Sequence, residues 1–158
     1  MTLTPEQRKS FIESISSAAK SAYDKYGVPA SVTLAQAILE SGWGQSSLVK
    51  EANNYFGIKK HGNLDYMEFP TTEWVNGVQE HVKADFVKYP DATASFEDHA
   101  SLLSSLPRYQ PAMALNSDPV SFAKKLGPCG YSTNPNYGSV LVILMNEYNL
   151  TQYDTKTS

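Results

Sequence analysis

The hydrophobic positions near the start of the chain repeat with the spacing of an amphipathic helix. Apolar side chains recur every three or four residues between positions 5 and 26, beginning with Phe11 and Ile15. Thr4 precedes a proline, and a glutamine follows two residues later, a pattern typical of an N-cap, a first-turn proline and a capping box. The sequence therefore predicts a first helix, which ends where residues 27–29 (GVP) break the periodicity.

The second predicted helix differs because its residues 32–39 are apolar nearly all round, which is typical of a helix buried in the middle of a domain. Glu40 closes this run, and residues 41–46 (SGWGQS) are too rich in glycine to continue a helix. Unpaired carbonyls at the helix end, together with the water-excluding indole of Trp43, are expected to raise the pKa of the Glu40 carboxyl. A carboxyl that stays protonated near neutral pH can donate a proton, as one carboxyl of a glycosidase does.

The hydrophobic period changes to two in the middle of the chain. Residues 78–86 alternate between two faces, and Asn76-Gly77 separates them from a second strand-like run at 71–75. Because Asn-Gly is a strong signal for a tight hairpin turn, the sequence predicts a small antiparallel β-lobe over roughly residues 58–88.

The remaining helices are predicted from their start signals, which are Ser46 or Ser47, Ser95 with Asp98, Asp118 with Pro119, and Asn134 with Pro135. The first of them runs to residue 52, the second ends before Pro107 and the third stops at Gly127. The run 140–145 is strongly apolar, so the last helix is expected to insert into the core. The fold class is therefore predicted as α+β and mainly α-helical, in a single domain over residues 1–158.

The composition narrows the classes of partner. Thirteen Lys and Arg against sixteen Asp and Glu give a net charge of −3 without a basic stripe, so we expect no nucleic acid partner. Residues 1–7 lack both a basic region and a long apolar stretch. We therefore expect neither a signal peptide nor a membrane anchor, and assign any export to another route. Cys129 is the only cysteine, so no intrachain disulfide can form.

The nucleophiles and potential metal ligands form no recognisable motif. His61, His81 and His99 are too far apart for paired helical spacing and no cysteine pair accompanies them, so we predict surface histidines and no metal site. No Gly-x-Ser-x-Gly sequence occurs, and no motif that would activate a thiol surrounds Cys129. These observations argue against nucleophilic acyl transfer.

A second carboxylate is needed if Glu40 acts as the acid of a glycosidase. Glu73 lies in the predicted strand 71–75, just before the hairpin turn, where a flexible lobe could bring it to a bound sugar. Glu68, Glu80 and Asp65 are nearby competitors, and sequence spacing alone does not choose among them.

Several segments resemble, in matching order, the autolysin-type endo-β-N-acetylglucosaminidases of glycoside hydrolase family 73, which include the flagellar peptidoglycan hydrolases. These segments are residues 34–46 (LAQAILESGWGQS), 53–59 (NNYFGIK), 72–77 (TEWVNG), 107–109 (PRY) and 130–137 (GYSTNPNY). The resemblance spans nearly the whole chain.

The resemblance implies a lysozyme-like, mainly helical fold with a small antiparallel β-lobe, and cleavage of the β-1,4 bond that follows N-acetylglucosamine in bacterial peptidoglycan. Glu40 matches the family's catalytic acid, Glu73 its β-lobe carboxylate and Tyr131 the tyrosine beside the catalytic centre. Where relatives usually carry Tyr-Ala-Thr-Asp-Pro, this chain has Ser132 and Asn134, which removes one negative charge near the site. We expect a monomer without a cofactor or a membrane partner that acts on glycan strands of the cell wall, outside the cell or in the periplasm.

Further side chains are candidates for sugar contact, with a role in the core as the alternative for each aromatic ring. They are Trp43, Asn54, Tyr55, Phe56, Trp74 and Tyr137.

Two other functions stay open at this stage, a lytic transglycosylase and a peptidoglycan-binding module without turnover. The mechanism is also open, because inversion through water, a covalent intermediate and participation of the substrate's acetamido group all fit the sequence. The joint presence of Glu40, Glu73 and Tyr131 favours a hydrolase over a binding module, because binding alone requires no proton donor.

Overall fold

The computed structural model describes residues 2–155, which form a helical body and one β-hairpin. The elements are α1 (Pro5–Tyr26), α2 (Ala30–Ser41), α3 (Ser47–Ala52), β1 (Tyr66–Val75), β2 (Val78–Val87), α4 (Ala92–Ser105), α5 (Gln110–Met113), α6 (Pro119–Leu126) and α7 (Tyr137–Glu147), with 3-10 turns at Pro107–Tyr109 and Leu150–Tyr153. The predicted mainly helical α+β class is confirmed. Residues 1 and 156–158 of the predicted domain lie outside the described residues.

Helix α1 begins at the predicted capping box. The Thr4 hydroxyl accepts the N–H of Gln7 at 3.1 Å, and the Gln7 side-chain oxygen accepts the N–H of Thr4 at 2.9 Å. Gly27 ends the helix in the left-handed region with φ 77°. The buried face of α1 packs against α2 and α4. Among residues 2–155, no helix combines the length and the apolar character that crossing a bilayer requires.

Helix α2 lies at the centre of the core, as its nearly continuous apolar sequence predicts. Every residue from Ala30 to Ile38 is buried, and α1, α6, α7 and the last 3-10 turn pack around the helix. Its polar side chains are accommodated locally; the Thr33 hydroxyl, for example, donates to the carbonyl of Pro29 at 3.2 Å. Because this helix is held on all sides, the core fixes the position of Glu40 in its last turn.

The predicted hairpin is confirmed, and β1 is longer than predicted. The two strands pair in one antiparallel register closed by Asn76 and Gly77, both with positive φ. One face of the hairpin is half-buried to buried from residue 67 to 73 and from 82 to 86, whereas the opposite face is almost entirely exposed. On the more buried face, Phe69 and Phe86 pack with Ala52 in a small cluster of their own. The predicted alternation in β2 is therefore confirmed over residues 82–86, and the apolar contacts of this face form a small cluster separate from the main core.

The predicted cap of α4 by Ser95 and Asp98 is wrong. Asp91 is the N-cap, and its Oδ1 accepts the N–H of Ala94 at 2.8 Å. Ser95 is buried inside the helix, where its hydroxyl accepts the N–H of Tyr55 at 3.2 Å. Asp91 and Ser95 are both good capping residues, so local sequence did not separate them, and burial of Ser95 decided the start.

The predicted start of α7 at Asn134 is also wrong, because the helix begins at Tyr137. Asn134 instead closes a local turn in which its Oδ1 accepts the N–H of Asn136 at 2.9 Å. The predicted insertion into the core holds for one face only, since Met145 is buried while Ile143 is 61% exposed.

Candidate active site

Glu40 lies one residue before the end of α2, in front of a sharply bent turn. Gly42, Trp43 and Gly44 all have positive φ, at 57°, 60° and 77°. A Cβ atom on Gly44 would lie 2.4 Å from Cε1 of Phe11, so this turn requires glycine for space as well as for conformation. The turn sends the chain away from the helix axis and leaves the Glu40 side chain beside an open pocket.

The pocket has a volume of about 360 Å³ and lies between the end of α2, helix α4 and the loop that precedes α7. Apolar side chains of α4, together with Phe56 and Ile58, form one wall. Its polar side chains are Glu40, His99, Tyr109 and Tyr131. The pocket therefore presents a carboxyl and hydrogen-bonding groups against an apolar surface, as ligand pockets commonly do.

The surroundings of Glu40 keep its carboxyl protonated near neutral pH. Glu40 as a whole residue is exposed, but protein atoms crowd its carboxyl. This desolvation raises the pKa of Glu40 from 4.5 to about 8, and the hydrogen bond from Tyr131 lowers the pKa by a smaller amount. The crowding at the carboxyl decides its pKa, because ionisation depends on the water that reaches the carboxyl itself. The expected direction of the shift is confirmed.

Tyr131 connects Glu40 to two other side chains. Its hydroxyl donates to Oε2 of Glu40 at 3.1 Å and lies 3.3 Å from Nε2 of His99. Its ring stacks on that of Tyr137 at 5.4 Å, and the Tyr137 hydroxyl accepts a hydrogen bond from Gln36 at 3.0 Å. Desolvation and the nearby Glu40 raise the pKa of Tyr131 well above 10, so this phenol keeps its proton.

The prediction that His99 lies at the surface is wrong. Its side chain is 3% exposed, and burial lowers its pKa to about 3, so the imidazole is neutral. Phe96, Ala100 and Leu103 lie on the same face of α4, and this apolar stripe is the signal that could have identified His99 as buried. Across residues 2–155, no group of three or more His, Cys, Asp or Glu side chains is arranged to hold a metal ion.

Glu73 does not line the pocket around Glu40. It lies on β1, is 37% exposed, and forms an ion pair with Lys59 in which Nζ and Oε1 are 2.6 Å apart. Lys59 directly follows Ile58, which does line the pocket, so the ion pair joins the β-lobe to the pocket's edge.

A comparison with protein families identifies the class of protein to which this site belongs. The family model described as glucosaminidase, mannosyl-glycoprotein endo-β-N-acetylglucosaminidase, matches residues 16–150. The chain belongs to this glucosaminidase family. The resemblance to glycoside hydrolase family 73 is thereby confirmed.

The chain is also similar to curated family members. It is 34% identical over 154 residues to the exo-glucosaminidase LytG of Bacillus subtilis, covering 94% of this chain and 54% of LytG. It is 36% identical over 149 residues to the peptidoglycan hydrolase FlgJ of Escherichia coli, covering 90% of this chain and 47% of FlgJ. The chain thus spans about half the length of these two relatives.

Solved structures of glucosaminidase-family domains have the same fold. The catalytic domain of the autolysin Auto from Listeria monocytogenes superposes with a TM-score of 0.87 at 37% identity, covering 98% of this chain and 91% of that domain. The glycoside hydrolase domain of FlgJ from Salmonella typhimurium gives a TM-score of 0.75 at 34% identity, covering 90% and 97%. The predicted lysozyme-like fold with a small β-lobe is confirmed.

Two of the predicted sugar-contacting residues lie at or directly behind the pocket. Phe56 lines it and stacks on His99, with ring centroids 3.9 Å apart. Tyr137 is 5% exposed and supports the ring of Tyr131 from behind. In this glucosaminidase-family chain, the position of Tyr137 fits support of the site rather than direct contact with a sugar.

The structure places Trp43, Asn54 and Tyr55 away from the pocket lining. The Trp43 indole packs against Phe11 and Tyr148 and does not line the pocket beside Glu40. Asn54 is 1% exposed, and its side chain bonds the backbone of two other residues, while the Tyr55 ring packs in the core. These positions favour structural roles.

Trp74 has the opposite surroundings, because it is 72% exposed on β1, immediately after Glu73. An exposed indole costs solvation free energy, and aromatic faces are common sugar-binding surfaces, so Trp74 stays a candidate for sugar contact.

Proposed function

We propose that this chain is a peptidoglycan hydrolase that cleaves the β-1,4 bond following N-acetylglucosamine in cell-wall glycan, with Glu40 as the general acid. The observation that carries the proposal is the desolvated Glu40 carboxyl, hydrogen-bonded to Tyr131 at the edge of an open pocket. The family supports the reaction class.

The proposed chemical role of Glu40 follows from its charge state. With a pKa of about 8, the carboxyl carries its proton at neutral pH and can transfer it to the departing glycosidic oxygen. The resulting carboxylate then accepts the hydrogen bond from Tyr131, which stabilises the negative charge as it forms. Tyr131 is thus proposed to act through its hydrogen bond to Glu40.

The setting of the reaction is part of the same proposal. We propose that residues 1–158 form one catalytic domain with a β-lobe at roughly 58–88. It acts as a monomer, without a cofactor, on glycan strands of the wall outside the cell or in the periplasm. The net charge of −3 is the observation against a nucleic acid partner.

Product analysis on purified cell walls tests the proposed bond. Relatives include proteins named exo-glucosaminidase and probable N-acetylmuramidase, so the sugar at the new end is the informative readout. We expect soluble fragments whose reducing end is N-acetylglucosamine. After borohydride reduction, mass spectrometry should detect this end as N-acetylglucosaminitol. A reducing muramic acid end would overturn the choice of bond. Anhydro-muramic ends would indicate a transglycosylase, and binding without release would indicate a binding module.

We further propose that Glu73 is the second carboxylate, which activates water or supports the positively charged transition state. Its proximity to Lys59, the residue that follows the pocket-lining Ile58, supports this role. Glu73→Gln is expected to lower the rate of wall solubilisation by about 10²-fold, the lower range for a positioned acid or base. The measurement is the initial rate of dye release from labelled walls.

Two control variants separate this role from a structural one. Lys59→Met removes the ion pair but keeps the Glu73 carboxylate, and Glu80→Gln removes the exposed carboxylate directly across the hairpin from Glu73. Both are expected to keep most of the activity. If Lys59→Met is as inactive as Glu73→Gln, the contribution of Glu73 is to hold the lobe in place, and the proposed chemical role is wrong.

A further inference from the structure

The hydroxyl of Tyr131 lies within hydrogen-bonding distance of two groups that differ in chemistry. Oε2 of Glu40 is 3.1 Å away and Nε2 of His99 is 3.3 Å away. A phenol has one proton to donate, so it can donate to only one of them. Because that proton is donated to Glu40, the contact with His99 requires the imidazole to be the donor and the Tyr131 oxygen to be the acceptor.

The state of His99 allows this arrangement. A neutral imidazole carries one N–H and one bare nitrogen. Nδ1 of His99 is buried and has no hydrogen-bond partner among the described residues. Within residues 2–155, the contact with Tyr131 is therefore the only hydrogen bond of the imidazole ring. With the proton on Nε2, the ring makes that bond as a donor and Nδ1 stays bare.

We propose that His99 is a positioning residue of this active site: as the Nε2–H tautomer it donates to the Tyr131 hydroxyl and thereby directs the Tyr131 proton onto Oε2 of Glu40. This inference rests on the proposed function of Glu40 as the acid. Its consequence is that the acid proton of Glu40 is held on Oε1, the carboxyl oxygen that Tyr131 does not engage.

The packing of His99 holds the ring in the orientation that the proposal needs. Its plane lies on the Phe56 ring, with an interplanar angle of 20°, and its edge meets the Tyr131 ring at 74°. Helix α4 fixes the backbone and Phe56 fixes the ring plane, and the contact with the Tyr131 hydroxyl favours the ring orientation with Nε2 toward it over the flipped one. A neutral donor suits this place, because a positive charge here would stabilise the ionised form of Glu40 and lower its pKa.

No proton passes through Tyr131 or His99 in this scheme. Glu40 gives its proton from Oε1 to the glycosidic oxygen, and the bond from that oxygen to the anomeric carbon breaks. The departing sugar keeps the new hydroxyl, the positive charge that develops on the other sugar is neutralised when a nucleophile attacks its anomeric carbon, and the negative charge stays on Glu40. Tyr131 keeps its proton and donates to Oε2 before and after the transfer. His99 therefore acts on the orientation of the hydroxyl, not as an acid or base.

The proposal predicts an effect on the titration of Glu40. The titratable and charged groups that surround this carboxyl are His99 on α4, Tyr109 with Arg108 after α4, Tyr131 in the loop before α7, and Tyr137 on α7. The Tyr131 hydrogen bond lowers the pKa of Glu40. Loss of the His99 donor frees the Tyr131 hydroxyl to rotate, so the pKa of Glu40 should rise.

The first test uses the unmodified protein. Nitrogen-15 NMR of the histidine side chains reports which ring nitrogen carries the proton. We expect His99 as the Nε2–H tautomer, neutral across pH 5 to 9. The Nδ1–H tautomer or a titrating His99 would overturn the proposal, and this readout does not depend on enzymatic turnover.

The second test compares two substitutions of His99. Phe keeps a ring on Phe56 but offers no donor, whereas Gln places its Nε2 amide the same number of bonds from Cα as the imidazole Nε2. His99→Phe is expected to lower kcat about tenfold with KM little changed, equivalent to about 1.4 kcal/mol. It should also move the alkaline limb of kcat/KM up by about half a pH unit. His99→Gln should restore most of both.

A Tyr131→Phe background completes the test. Without the hydroxyl there is nothing for His99 to position, so adding His99→Phe should change neither kcat nor the alkaline limb further. Additive losses, or equal losses for Phe and Gln at position 99, would overturn the positioning role. If the unmodified protein releases no wall fragments, the proposed function fails, while the NMR result still decides the tautomer.

Discussion

Glu40→Gln is expected to reduce wall solubilisation by about 10³-fold to 10⁴-fold, the upper range for loss of a positioned general acid. The amide matches the shape of the protonated carboxyl and can still accept the hydrogen bond from Tyr131. It cannot give up a proton to the leaving oxygen. Initial rates of dye release from labelled walls, measured below pH 8 where Glu40 is protonated, provide the comparison.

Glu147→Gln is the matched control, because Glu147 is an exposed carboxylate at the C-terminal end of another helix, α7, and does not line the Glu40 pocket. It should keep full activity. Both variants should unfold at nearly the temperature of the unmodified protein, since neither change removes buried apolar contact. Activity within tenfold of normal for Glu40→Gln would remove Glu40 from the role of acid.

Phe96→Ala is expected to lower the free energy of unfolding by about 3–5 kcal/mol, the usual cost of deleting a buried aromatic side chain. Phe96 is completely buried on α4, and its ring contacts Phe56 and Tyr55 with centroids 4.9 and 5.4 Å apart. Phe56 in turn carries the His99 ring, so the cavity would open directly beneath the pocket. Urea denaturation followed by circular dichroism measures the change.

Two comparisons sharpen this stability prediction. Phe96→Leu leaves a smaller cavity and should cost clearly less. Trp74→Ala removes a larger aromatic side chain that is 72% exposed, so it should change the free energy of unfolding by less than about 0.5 kcal/mol. If Phe96→Ala costs less than about 1 kcal/mol, the contacts between α4 and Phe56 do not hold the pocket wall as the structure indicates.

The elements that the sequence predicted correctly are those specified by neighbouring residues. The capping box at Thr4, the proline after Asp118 and the Asn76-Gly77 turn each place their signal within a few residues of the structure that they produce. The all-round apolar run of α2 likewise predicts a buried helix, because no surface position would tolerate it. The position of Glu40 in the last turn of that helix followed from the same local evidence.

The predictions that failed concern features that are determined by residues distant in sequence. Asp91 and Ser95 compete as caps of α4, and the contact of Ser95 with Tyr55 decides between them. Trp43 adjoins Glu40 in sequence, yet the positive φ of the turn sends its indole toward Phe11. Local patterns contain no information about such partners.

The sequence by itself determined the helical order, the hairpin, the family resemblance and the presence of a carboxyl near the end of the central helix, because each depends on residues close together in the chain. Only the tertiary structure brought His99 and Tyr131, from α4 and the loop before α7, to the carboxyl of Glu40. The tertiary structure also determined the protonation states of Glu40, His99 and Tyr131. A pKa depends on which atoms exclude water around a group, and here folding supplies those atoms from segments far apart in sequence.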